Sequence, residues 1–232
     1  MSSALLERIR AKLERRDRPS RDTLLKRKLP ADIVYFWRPT EQDYGFLSMW
    51  YPSPFQDSYF PEKIYPTAEH YLLHHKALVF GNEAVAAEVL RTKSPHAARE
   101  LTKKRLDNFD PAVWARHRER VVYDANWHKF TAPHLPRDGL PEACEVWMPI
   151  SDEALRHETR LKQALLDTGD KLIVEAAPLD FFWGNGYWMG SSCKNRHRWG
   201  LNLLGLILMA VRARIRDEEE LRKAMARDEE EN

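Results

Sequence analysis

Between Thr67 and Ala125 the chain carries four successive helix-start signals, and no other feature of its 232 residues restricts the fold as strongly. Thr67 stands just ahead of Tyr71, Leu72, Leu73, Ala77 and Leu78, and Gly81 follows them, which is an N-cap and a terminator around one short helix. A second helix is expected from Asn82 to about Thr92 and a third from Ser94-Pro95 to about Arg105. Asp110-Pro111 then reads as N-cap and first helical residue of a fourth, with Val113, Trp114, His117, Val121 and Ala125 facing inward.

The remaining elements are sparser. The run IVYFW at 33–37 is β-type and predicts the first core strand. Residues 131–150 are proline-rich without a period, so a loop or insertion is expected there, followed by a helix from Ser151 that Gly169 ends. Residues 171–176 predict a short strand. A glycine- and aromatic-rich loop, 178–200, leads to Asn202, which caps an apolar helix ending near Arg216. These elements predict a mainly α fold with a few short strands (α+β), and the length suits a single compact domain. Its core is expected over residues 31–216, between a charged, partly helical arm at 1–30 and an acidic tail at 217–232 that frays or is disordered.

Several function classes are disfavoured at once. The 37 basic and 35 acidic side chains nearly cancel, so no global field marks a nucleic-acid or membrane binder, and such a partner must be met locally. The start, MSSALLERIRAKLERR, is charged throughout and unlike a signal peptide, and the longest apolar run, 201–211, is too short to span a bilayer. With Cys144 and Cys193 forming no CxxC pair, a soluble chain in a reducing compartment, cytoplasmic or nuclear, is expected. There is no P-loop, GxGxxG, GxSxG or HExxH. His70 and His74, and Cys193 and His197, are each four apart, but neither pair supplies the three or four ligands of a zinc site, so no metal and no cofactor is expected.

Two features carry chemistry. Glu69 falls at the second position of its helix, where the positive end of the dipole favours an ionised carboxylate, although acidic residues are ordinary in first turns. Lys76 follows two turns later on the same face, so both head groups can look into one site, and its ordinary reading is a surface lysine. The second feature is Asp180 with Trp183-Gly184-Asn185-Gly186. Its glycines permit close backbone approach or positive φ, and Trp183 offers a stacking face; a tight turn around a core tryptophan fits equally well.

The order of motifs resembles the NADAR (YbiA-like) family over about residues 33–215. It runs through Tyr44-Gly45-Phe46-Leu47-Ser48, Pro66-Thr67-Ala68-Glu69-His70-Tyr71, Lys76-Ala77, Lys129-Phe130, LIVEAAPLDFFWGNG at 172–186, and Asn202-Leu203-Leu204-Gly205 with Met209 and Arg212. The resemblance implies a compact YbiA-like fold and hydrolysis of N-glycosidic bonds to a phosphate-bearing ribose. Two substrate classes come with it: ADP-ribose attached to guanine in nucleic acid, and ribosylamino-pyrimidine phosphates of riboflavin synthesis. By position, Glu69 matches the family's catalytic glutamate, Lys76 its following lysine, Asp180, Trp183, Gly184 and Gly186 its DxxWGxG motif, and Asn202 and Gly205 its NxLG. The chain departs from the pattern at Leu73 and His75, at Leu47-Ser48-Met49-Trp50, in the 131–150 insertion and in SSCKNRHRW at 191–199.

The expected reaction is removal of ADP-ribose from guanine, with the pyrimidine phosphates, or binding without cleavage, as the alternatives. Glu69 stabilises the sugar cation and activates water, Asp180 orients ribose hydroxyls or assists proton transfer, and Lys76 holds a phosphate or attacks the opened sugar as an amine. Both carboxyl groups are then required at one anomeric carbon. Trp50 and Trp183 are candidate stacking faces, Ser48 and Asn202 candidate hydroxyl or phosphate contacts, and His70, Gly184 and Gly186 further substrate contacts.

Overall fold

The structure is a computed structural model and describes residues 33–133, 135, 140 and 158–230. The N-terminal arm, most of the 131–150 insertion, Cys144 and the expected helix start at Ser151 lie outside those residues. Helix predominates, with one two-stranded sheet, in the order β1 (Ile33–Phe36), α1 (Ala68–Val79), α2 (Glu83–Val89), α3 (Pro95–Arg105), α4 (Pro111–Thr131), α5 (Glu158–Asp167), β2 (Leu172–Glu175), α6 (Met189–Ser192) and α7 (Leu203–Glu230). The mainly α class read from the sequence therefore holds. Among the described residues no helix is long and apolar enough to cross a membrane. Contacts sort the chain into two units, Tyr35–Asp167 and a second that runs on from Thr168 and includes Ile33 and Val34.

In the first unit the four expected caps all form. Thr67 Oγ1 accepts from His70 N, Asn82 Oδ1 from Val85 N, Ser94 Oγ from Ala97 N and Asp110 Oδ1 from Ala112 N and Val113 N. Each such cap stabilises its helix by about 1 kcal/mol. Gly81, at φ +68°, ends α1 in a Schellman turn, Asn82 N donating to Ala77 O and Gly81 N to Leu78 O. α1 is the hub, packing on α2, α3 and α4, and α4 also packs on α5. Leu73 and Ala77 meet Val85, Ala86, Val89 and Ala98 in its core.

The inward face expected of α4 is corrected. His117 is exposed and Val113 and Trp114 are only partly covered, whereas Val122, Tyr123, Ala125, Asn126, Lys129 and Phe130 are buried. The buried residues of this 21-residue helix, among those described, all lie in its C-terminal half, which includes the polar Asn126 and Lys129.

In the second unit α7 packs on β2, which pairs with β1. Asn202 makes this possible: its Oδ1 accepts from Glu175 N and its Nδ2 donates to Ile173 O, both at 2.9 Å. Gly205 lets the helix backbone come close, since a Cβ there would stand 2.2 Å from Ile173 O. We expect Asn202→Ala to cost about 2–4 kcal/mol, because two strand groups lose their partner; a urea midpoint corresponding to a loss below about 1 kcal/mol would show that the bridge is dispensable. The apolar helix does not stop near Arg216: α7 continues to Glu230, so of the two states expected for the acidic tail, a fraying helix or disorder, its described part is helical. Pairs of Glu218 with Arg214 and with Arg222, each four residues apart, support the extension.

Candidate active site

The Thr67 cap places Glu69 at the second residue of α1, and its backbone N–H, one of the helix's orphan donors, goes to Met49 O at 3.0 Å. That bond seats the segment 48–50 against the helix start. The segment is braced from behind by α4: Lys129 Nζ donates to Ser48 O at 2.8 Å, and Asn126 Nδ2 lies 3.1 Å from Met49 Sδ. Ser48 Oγ in turn accepts from Trp50 N. Ser48, a candidate ligand contact from the sequence, is buried and helps to shape this segment.

The Glu69 side chain is only 8% exposed. Trp50 hydrogen-bonds it, Arg99 Nε stands 3.7 Å from Oε1, and Lys76 adds positive potential. The Arg99 guanidinium also lies 5.8 Å from the Trp50 ring centre, and the Lys76 ammonium 4.2 Å from that of Phe109 and 5.6 Å from that of Trp114. Burial nevertheless wins over these favourable contacts and lifts the Glu69 carboxyl to about 7. The helix dipole and both cations favour the ionised carboxylate and desolvation opposes it, and the balance leaves a group able to change protonation near neutrality. Burial likewise pulls the Lys76 amine below its usual range, with Glu69 opposing it.

One face of α1 thus gathers Glu69 and Lys76 with Trp50 and Arg99. On its other side a buried network joins Asp57, His75 and Tyr65, with His75 stacked 4.0 Å from the Tyr71 ring. His70 is not a ligand contact in this arrangement, because Thr67 Oγ1 and Thr92 Oγ1 take its two ring nitrogens and burial holds it neutral, its pKa pulled to about 4. Arg99 was missed by sequence reasoning, since nothing in spacing connects residues 69 and 99. Lys129 appeared there only as part of a motif; its burial, which pushes the amine down to about 7, comes from tertiary packing alone.

The second motif lies in the other unit. Asp180 Oδ1 accepts from Phe182 N and Trp183 N, closing the turn. The carbonyls of Phe182 and Trp183 then receive the first N–H groups of α7, from Leu203 and Leu204, and Asn202 N goes to Gly184 O. Gly184 abuts Glu175 O, which a Cβ would meet at 2.8 Å, and Gly186 adopts φ +84° against the Phe181 ring. Trp183 packs edge-on against Phe182 at 5.1 Å. Asp180, Gly184, Gly186 and Asn202 thus hold the strand, the loop and the helix together within their unit, and Trp183 stands half-buried rather than in the core.

The NADAR domain matches residues 35–216, and the chain belongs to that family. It is 30% identical to an N-glycosidase of Acanthamoeba polyphaga mimivirus over 185 residues, 77% of this chain and 94% of the viral one. An N-glycosidase of Nostoc punctiforme is 27% identical over 79% of the chain and 93% of its own length. The chloroplastic riboflavin biosynthesis protein PYRR of Zea mays is 30% identical over 65% of the chain, a match that takes in 20% of the maize protein. Among solved structures, the NMR structure of E. coli YbiA has the same fold, with a TM-score of 0.58 at 24% identity over 87% of this chain and 94% of that one.

Proposed function

We propose that this chain is a hydrolase of N-glycosyl bonds whose substrate is ADP-ribose carried on guanine in nucleic acid. The reaction class is supported by the viral and cyanobacterial relatives, each called an N-glycosidase. The single observation that carries it to residues is Glu69, a buried carboxyl lifted to about 7 between two cations and an indole.

In this scheme the C1′–N bond breaks with its electron pair leaving on the base, and positive charge develops at C1′ and the ring oxygen. The Glu69 carboxylate stabilises that charge and removes a proton from a water whose oxygen adds to C1′; the proton passes to the departing nitrogen. Arg99 and Lys76 supply positive charge for a diphosphate, which makes ADP-ribose a better match than an uncharged nucleoside. Trp50 offers the stacking face. Asp180 is assigned to the turn it closes.

The pyrimidine phosphate reading is favoured by one observation, the match to the maize riboflavin protein. Purified chain incubated separately with guanine-ADP-ribosylated oligonucleotide and with ribosylaminopyrimidine phosphate should release free ADP-ribose from the first. Release of sugar from the second alone would transfer the assignment to riboflavin intermediates, and binding of ADP-ribose without release from either would make the chain a recognition module.

A further inference from the structure

The second unit carries a surface that the reaction scheme does not use. Leu179 is 86% exposed, Met189 62% and Trp188 56%, and Phe181 and Leu201 are also exposed. They are neighbours through the loop itself: Leu179 N bonds Gly186 O, Leu201 N bonds Phe181 O, and the Phe181 and Tyr187 rings meet edge to face at 5.7 Å. Leu179 is moreover held at φ +66°, a conformation unfavourable for a bulky side chain. The fold spends backbone strain there to present a side chain to solvent.

Beyond Asp180, which lies between Leu179 and Phe181, the loop carries charge of one sign. From Phe181 to Arg216 there is no Asp or Glu, in a chain whose charges otherwise nearly cancel. Lys194 and Arg198 project from the turn after α6, Cys193–Arg198, and are exposed. That turn is pinned rather than loose, with buried Trp199 donating from Nε1 to Ser192 O at 2.8 Å and Asn195 donating to Ser191 O. Exposed apolar faces and exposed cations on one loop suit a polyanion whose units have faces that stack.

We propose that this loop, centred on Trp188, Lys194 and Arg198, is a binding surface for single-stranded nucleic acid, with bases stacked on the aromatic faces and phosphates met by the two cations. It rests on, and deepens, the nucleic-acid branch of the proposed function by supplying a further contact to the strand.

The test uses the full chain and an unmodified fluorescent 12-nucleotide single strand, so that it is independent of whether the glycosidic bond is ever cut. Fluorescence anisotropy should show saturable binding that Trp188→Ala weakens on the order of tenfold. Lys194→Ala with Arg198→Ala should lower the slope of log affinity against log salt by about 0.7 per cation. The substituted side chains are exposed, and an unchanged far-UV spectrum and thermal midpoint confirm the fold of each variant. Absence of binding, or binding indifferent to all three substitutions, overturns the proposal. So does a chain that ignores the strand but co-sediments with phosphatidylserine vesicles through Trp188, which would make the surface a membrane contact.

Discussion

Replacing Glu69 by Gln stops turnover, lowering kcat by about three orders of magnitude while substrate still binds. The amide keeps the shape and the contact to Trp50 but can neither carry the charge that balances the sugar cation nor accept a proton from water. In the unsubstituted chain the rate should rise with pH through a midpoint of about 7, where the carboxyl ionises, and the residual rate of the variant should lack that limb. Stability moves the other way. Because the folded chain resists ionising Glu69 until about pH 7, against 4.5 for the free group, its stability is lost as pH rises through that interval, by up to about 3 kcal/mol. Glu69→Gln should therefore be more stable than the original chain at pH 8 and differ by less than about 1 kcal/mol at pH 5. Undiminished hydrolysis by the variant removes Glu69 from the mechanism, and equal urea midpoints at pH 8 remove the desolvated carboxyl.

Lys76 separates two chemical routes, and its substitution is expected to produce the next largest effect. Half-buried beside Phe109 and Trp114, its amine is easier to deprotonate than a surface lysine. A neutral amine there can attack C1′ of the ring-opened sugar while the base is still joined to it as an imine. The bond from C1′ to the base nitrogen breaks, the base leaves with the two protons of the amine, and water later hydrolyses the lysine Schiff base that remains. Borohydride added during turnover should then leave a sugar adduct visible in the intact mass, absent in Lys76→Ala, with turnover down about a hundredfold or more. Lys76→Arg discriminates the alternative, since a guanidinium holds phosphate but does not form the adduct. Full activity of that variant without any trapped adduct would leave Lys76 as a phosphate contact only.

Much of the first unit is legible in the sequence because its signals are local. Thr67, Asn82, Ser94 and Asp110 cap the helices they precede, as each cap involves groups only two or three residues away. The spacing of Glu69 and Lys76 by two turns is likewise a property of one helix. The extension of α7 was less legible. Residues 217–230 are charged and lack an apolar stripe, and what sustains them includes ion pairs four residues apart, which composition alone does not distinguish from a solvated tail.

Sequence by itself determined the helical order, the caps and the presence of a carboxylate and an amine on one face of α1. Only tertiary structure decided their state and their company. Arg99 reaches Glu69 because α3 packs on α1, and Lys129 is buried because the C-terminal half of α4 is the more deeply covered one. Caps and periodicity act across a few bonds and can be read along a chain, whereas desolvation depends on which distant segments exclude water from a group. That exclusion lifts Glu69 to about 7 against the pull of its own helix dipole.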